Sequence, residues 1–397
     1  MPFNVRMVLA QDSMDMIREL AGIGVSSAGC TYMEGKGLFK LLRADGLSIP
    51  AALILKQEML SIGGEAAVHQ QAVIHGVDNT SVLLMATISQ YERLNEKLRV
   101  QQFGLPKLAE EIEEVLRNFT VKGHCVICKK KPLILGERTH IMGIVNVTPD
   151  SFSDGGLYVE PQAAIEHALA LAEAGADIID IGGASSRPGF SEVSAEEEIE
   201  RIMPVIEGLA PLLDIPISID SDKAKVARAA LVAGADIIND IWGLQRDTQM
   251  AYLAAQTGAP VIAMHNQDGS NYNDLIGDMM LFFHRSLQIG EEAGMSREQF
   301  ILDPGIGFGK TAKQNLEVLR NFDVFCGLGL PLLVGTSRKT FIGKVLDKLV
   351  EQRLEGTAVT VALAIAKGAD IIRVHDVEQM SLVARMTDAV IGKRKNG

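Results

Sequence analysis

GADII stands at Gly175 to Ile179, Gly234 to Ile238 and Gly368 to Ile372, and the residue after each copy differs: Asp180, Asn239 and Arg373. An Ala-rich stretch precedes every copy. Gly is favoured just past a helix C-terminus because it enters the left-handed region without strain. The Asp-Ile-Ile that follows opens a short apolar run, as a strand buried on both faces does. Helix, Gly stop and buried strand make one half of a βαβ repeat. In a parallel sheet, the residue closing such a strand lies at the edge where α/β proteins bind ligands. The repeated phrase thus predicts a scaffold, and its changing last residue predicts a site. Helix–strand junctions without function would share the phrase, so the neighbouring segments have to decide.

They supply eight apolar runs: Ile141 to Val147, Asp177 to Ile181, Pro216 to Asp220, Asp236 to Asp240, Pro260 to His265, Phe300 to Pro304, Pro331 to Gly335 and Asp370 to His375. A helical pattern follows each. Eight βα units over about 250 residues is the count of a (β/α)8 TIM barrel. A doubly wound sheet would more often carry a G-x-G-x-x-G turn after its first strand, and none is present there. GIGFGKT (Gly305 to Thr311) is not a phosphate-binding P-loop, because that spacing needs glycine where Pro304 stands. The fold class expected is α/β, a (β/α)8 TIM barrel over residues 140–397. A connector at 126–139 and a small N-terminal α/β domain at 1–125 precede it.

Composition narrows the function classes. The 397 residues are 47% hydrophobic, carry a formal net charge of −12 and include four cysteines. That charge argues against nucleic-acid binding, so any anion must be met by a few local cations and backbone N–H groups. No apolar run reaches the roughly 18–20 residues that span a bilayer, so no membrane segment is expected. Arg6 and Asp12 interrupt the N-terminus, which does not read as a signal peptide. Four cysteines do not make a disulfide framework in a chain this long, and a cytoplasmic location is expected.

The strand ends read Asn146, Asp180, Asp220, Asn239, His265, Asp303, Ser337 to Lys339, and Arg373 with His375. Any one Asp or Asn there could be a turn former or helix cap. A ring of them at one mouth is different, since caps need not converge. Carboxylates and amides suit the donor and acceptor edge of a polar heterocycle. Arg373, His375 and Lys339 suit a phosphate or pyrophosphate. Two long polar loops follow the first two strands, NVTPDSFSDGG (Asn146 to Gly156) and GGASSRPGF (Gly182 to Phe190), of a kind that can close over a ligand.

IMGIVNVTPDSFSDGG resembles the signature of the dihydropteroate synthase family, and GGASSRPG resembles that family's second loop. SID, IIND, MH, DPGIGFGK, GTSRKTFIG and RVHDV follow in the family's order, so the resemblance covers roughly residues 133–393. It implies condensation of 6-hydroxymethyl-7,8-dihydropterin pyrophosphate with p-aminobenzoate, with Mg2+, to give 7,8-dihydropteroate and pyrophosphate in folate biosynthesis. It also implies sulfonamides as inhibitors and a homodimer. By the same resemblance, Asp180, Asp220, Asn239, Asp303 and Lys339 hold the pterin. Asn146, Arg373 and His375 take the pyrophosphate, and Asn146 helps position the metal. Phe152, Asp154, Ser186, Arg187 and Pro188 close over the substrates, and Phe308, Lys339 and Thr340 border the aminobenzoate. Asp220, Asp154, Arg187 and Lys339 are the residues implied to matter most for rate. The chain departs from the pattern at Ala184, where the family carries Glu, and at Ser221-Asp222-Lys223 and MHNQDG. A pterin-binding methyltransferase shares the barrel and its polar ends but not SRK or the SSRPG loop. A non-catalytic pterin-binding barrel is the third reading, and Ala184 gives it room.

HCVIC (His124 to Cys128) brings Cys125, Cys128 and His124 together, but a structural zinc site needs a second cluster, so an interdomain connector is expected. In the first third, Phe3 to Leu9 and Ser81 to Thr87 read as strands. Ser13 to Ile23 (capped by Ser13), Pro50 to Gly63, Ile88 to Gln101 and Leu108 to Phe119 read as helices. No D-x-D pair or other catalytic cluster stands out there, and a structural, regulatory or assembly role is expected.

Overall fold

The computed structural model describes the chain except residues 1, 2, 11, 75, 122, 149–160, 185–192 and 394–397. It divides into two compact units, 1–121 with 327–329, and 122–326 with 330–397.

The first unit contains α1 (Ser13–Gly22), α2 (Ser27–Gly37), β1 (Phe39–Ser48), α3 (Ile49–Ser61), β2 (Glu65–Ala67), β3 (Asn79–Thr87), α4 (Ile88–Leu98) and α5 (Leu105–Asn118). Its antiparallel sheet has the order β1-β3-β2. Val82, Leu84 and Ala86 of β3 point to one face, as period-two alternation requires. They pack there with Leu55 and Met59 of α3, Tyr91 and Leu94 of α4, and Ala109 and Ile112 of α5. Two expectations are corrected. Phe3 to Leu9 is not a strand: the segment carries no regular structure and Phe3 is 98% exposed. Strand propensity alone does not hold a strand without a neighbour to pair with. The N-cap of α1 is Asp12, whose side chain accepts from Asp15 N, and Ser13 is its first helical residue.

The second unit opens with β4 (His124–Val126) and β5 (Leu133–Leu135), an antiparallel hairpin. The stretch expected as a plain connector is therefore ordered. Val126, Cys128, Leu133 and Leu135 pack on the lower apolar layer of the barrel, against Met142, Ile178, Ile237 and Ile262 among others. Eight parallel strands follow: β6 (His140–Asn146), β7 (Ile178–Gly182), β8 (Ile217–Asp220), β9 (Ile237–Asp240), β10 (Val261–Met264), β11 (Phe300–Asp303), β12 (Leu333–Val334) and β13 (Ile371–Val374). The helices are α6 (Pro161–Glu173), α7 (Ala195–Leu209), α8 (Ala224–Ala233), α9 (Thr248–Thr257), α10 (Leu275–Ala293), α11 (Ala312–Arg320), α12 (Thr340–Leu346), α13 (Leu354–Ala366) and α14 (Val377–Ile391). The strand order is β11-β10-β9-β8-β7-β6-β13-β12, and a parallel bridge from Leu302 to Leu332 closes the ring. All eight expected barrel strands are present.

The GADII phrase resolves residue by residue. Gly175, Gly234 and Gly368 have φ of +102°, +116° and +104°, the left-handed stop that a side chain would strain. Each aspartate then clasps the neighbouring strand. Asp177 accepts from Ile141 N at 2.9 Å, Asp236 from Ile217 N at 3.0 Å, and Asp370 from Leu332 N at 3.1 Å. In return the backbone N–H groups of Asp177, Asp236 and Asp370 donate to the carbonyls of the same three residues at 2.7, 2.7 and 2.8 Å. The two isoleucines enter the buried strand, and the last residue emerges at the opposite mouth. Among the described residues no helix is long and apolar enough to cross a membrane.

Candidate active site

The C-terminal mouth gathers the strand-end residues. Asp180 of β7 is fully buried and Asp220 of β8 is 18% exposed. Arg373, from β13, reaches across to both: Nε donates to Asp180 Oδ2 and Nη2 to Asp220 Oδ2, each at 2.6 Å. Asn239 of β9 donates to the same Asp180 carboxylate at 3.2 Å. Asn146 stands where β6 ends, beside Gly182 of the paired strand. Two carboxylates, an amide and a guanidinium thus form one hydrogen-bonded group contributed by β7, β8, β9 and β13.

Burial sets the electrostatics. It pushes the Asp220 carboxyl up to about 7, with the nearby Asp180 adding to the rise and Arg373 opposing it. Burial also raises Asp303, against the pull of Lys339 and the Gly305 N–H. Lys339 is brought down to about 8 by burial and by Arg373, while Asp303 resists. For Arg373, burial works against the charge, but Asp180 and Asp220 outweigh it and hold the guanidinium firmly protonated.

The seventh strand feeds the other side of the mouth. Ser337 Oγ lies 3.0 Å from His375 Nδ1 and accepts from His375 N at 3.2 Å. Arg338 pairs with Asp376. Lys339 turns inward, donates to Ile306 O and lies 4.5 Å over the Phe308 ring. Thr340 opens α12 and is exposed. After β11, Asp303 Oδ1 accepts from Gly305 N at 2.8 Å, which sets the turn that carries Phe308. His265 is buried after β10 and meets Lys310 Nζ at 2.9 Å.

Asp180, Asp220, Asn239 and Arg373 therefore bond to one another, Lys339 and Phe308 meet, and Ser337 and His375 meet. Phe152, Asp154, Ser186, Arg187 and Pro188 lie outside the described residues. Lys310 is a site residue that the sequence reading did not single out, although it closes the DPGIGFGK motif. Asp240, the acid after Asn239, belongs to the scaffold, since its carboxylate accepts from Trp242 N and Leu244 N at 2.8 and 2.7 Å.

Residues 142–375, more than half of the chain, match the family described as pterin binding enzyme. The chain is 52% identical over 265 residues to a dihydropteroate synthase of Bacillus subtilis, covering 67% of this chain and 93% of that one. This chain belongs to the dihydropteroate synthase family. The fold agrees: a Clostridium difficile dihydropteroate synthase solved in the presence of pteroic acid superposes with a TM-score of 0.63 at 51% identity, covering 64% of this chain and 98% of that one. The Yersinia pestis dihydropteroate synthase in a sulfonamide complex gives 0.64 at 40% identity, covering 68% and 100%. A probable bifunctional folylpolyglutamate synthase/dihydropteroate synthase of Halobacterium salinarum is 40% identical over 387 residues, which is 95% of this chain and 46% of that one. Likeness to that protein therefore extends into the N-terminal unit, which the family match leaves out.

Proposed function

We propose that this dihydropteroate synthase barrel joins 6-hydroxymethyl-7,8-dihydropterin pyrophosphate to p-aminobenzoate, releasing pyrophosphate, with the strand-end residues in the following roles. The observation that carries the assignment is the convergence of Asp180, Asp220, Asn239 and Arg373 into one buried group at the C-terminal mouth. The pterin edge offers N–H donors and ring acceptors. Asp220, Asp303 and Asn239 supply the complementary acceptors and donors, and Asp180 orients Arg373. Arg373 and His375 meet the charge of the departing pyrophosphate. Loss of that group leaves positive charge on the methylene and pterin ring, which the buried carboxylates stabilise. The amine of p-aminobenzoate then needs mainly positioning, supplied by Phe308, Lys339 and Thr340. Asp154 and Arg187 would complete the site from the two loops.

Asn146 offers a hard amide oxygen at this mouth, which suits Mg2+, an ion that takes few protein ligands alongside substrate phosphates. The metal would supply further neutralisation of the leaving group. The outer faces of α13 and α14 leave Val359, Leu363, Leu382, Met386 and Val390 exposed, which supports a homodimer through these helices. The free thiols Cys30, Cys125, Cys128 and Cys326 suit a reducing cytoplasm.

The test is pyrophosphate release by the purified full chain with pterin pyrophosphate, Mg2+ and p-aminobenzoate, each omitted in turn, with the product identified. Release that requires p-aminobenzoate and yields dihydropteroate is expected. Tight pterin binding without turnover would overturn the assignment in favour of a non-catalytic barrel.

A further inference from the structure

We propose that Lys310 is a positioning residue for the arylamine substrate, fixing the turn from Gly305 to Gly309 so that the Phe308 ring stands as one wall of the aminobenzoate subsite. The inference rests on the functional reading above and adds a residue to it.

Lys310 Nζ has three acceptors around it: Gly305 O and Phe308 O, both at 3.1 Å, and His265 Nδ1 at 2.9 Å. An ammonium carries three N–H bonds, so one side chain can satisfy all three partners. The imidazole suits the acceptor role. Burial and the neighbouring Lys310 charge depress His265 to about 3, so its ring is neutral, and Phe282 packs edge-on to it at 4.7 Å. Lys310 itself is pulled down to about 7 by burial and by Lys339, with Asp303 acting to keep it charged.

Other side chains fix the rest of the turn. Lys339 takes Ile306 O, Tyr272 Oη donates to Gly309 O at 2.8 Å, and Asn315 Oδ1 accepts from Gly307 N at 2.6 Å. The turn also packs closely against the segment that follows β10. Gly305 and Gly309 have φ of +65° and +55°, and a Cβ on either would come within 2.0 Å of His265 O or 2.7 Å of Gln267 O. Phe308 is thus held from both sides, by Lys310 at its carbonyl and by Lys339 over its ring. Without Lys310, the carbonyls of Gly305 and Phe308 lose a donor in a turn that is only partly buried, and water takes its place there, which loosens the turn. The ring moves with it. Of the pterin carboxylates, Asp220 is tied to Arg373, which Asp180 also holds, on other strands, and Asp303 is placed by β11 itself, so both stay in place.

Steady-state kinetics of the full chain separate this from a purely structural role. Lys310→Met is expected to raise KM for p-aminobenzoate about tenfold, the low end of what one misplaced apolar wall costs. KM for the pterin pyrophosphate and kcat should stay within about threefold. Phe308→Ala should raise the same KM, and adding Lys310→Met to it should change little further, because the lysine acts through the ring. Lys310→Arg, which keeps a cationic donor, should restore part of the loss. Equal increases in both KM values, or fully additive effects in the double variant, would overturn the proposal. So would a loss of thermal stability with both KM values unchanged. If Lys310→Met does not fold, the cycle of Lys310→Arg with Phe308→Ala reads the same coupling. Absence of p-aminobenzoate-dependent turnover in the wild type would instead overturn the functional reading itself.

Discussion

Asp236 lies at the N-terminal edge of the sheet just before β9, and Asp220 ends the adjacent strand, β8, at the opposite mouth. Asp236 is held by backbone: its carboxylate accepts from Ile217 N and Lys130 N, both at 3.0 Å. Asp220 is held by a side chain, Arg373, at 2.6 Å. Backbone donors are placed by the fold and cannot be redirected without unmaking it. A guanidinium on a flexible stem can be redirected when a ligand offers a better arrangement. The same residue type therefore serves as a fastener at one end of the barrel and as an exchangeable contact at the other.

The sharpest way to break this division is Asp236→Ala. The buried N–H of Ile217 and the half-buried N–H of Lys130 would lose their acceptor, at roughly 1–3 kcal/mol for the first and less for the second, so a loss of about 3 kcal/mol in barrel stability is expected. Denaturant unfolding measures it. Turnover per folded molecule at low temperature should be unchanged. A fall in kcat for a variant that remains folded would mean that the two ends are not separable. Asp220→Asn is the mirror test. It should lower kcat by about 100-fold, the scale of losing one charge-stabilising group in a transition state, with little loss of stability. An effect confined to KM would remove Asp220 from the rate-determining chemistry.

The two ends also differ in how far the sequence exposed them. The glycine stops and the buried strands of GADII were legible because local backbone preference and apolar runs dictate them. The clasp made by its aspartates was not, because the partner of Asp177 is 36 residues away, that of Asp236 is 19 and that of Asp370 is 38. Only strand register sets those N–H groups opposite the acids. At the mouth, the list of strand-end residues was readable, but the bond from Arg373 to Asp180 spans 193 positions and no spacing announces it. Lys310 hid for a related reason. Its three acceptors are two carbonyls, which have no residue signature, and a histidine 45 positions away, just after β10. The hairpin of β4 and β5 escaped because three-residue strands are too short to show a period.

The smallest expected effect is the most discriminating. Burial holds Asp220 protonated up to about 7, whereas in the unfolded chain it ionises near the ordinary aspartate value of 3.8. Between those values the folded chain keeps a proton that the unfolded chain has released. The Asp220 contribution to stability is therefore greatest below about 4, declines as pH rises toward 7, and is lost above it. Pterin affinity should run the other way, because an ionised acid is the better acceptor for ring N–H donors. It should fall by up to about tenfold per unit as pH drops below 7. Titrating the pterin at a series of pH values checks this, with Asp220→Asn expected to flatten the slope. Asp236→Ala should leave the slope intact, since that carboxylate faces backbone at the far end of the barrel. If both substitutions flattened it equally, the pH response would belong to the fold as a whole, and the distinction between fastened and exchangeable acids would fail.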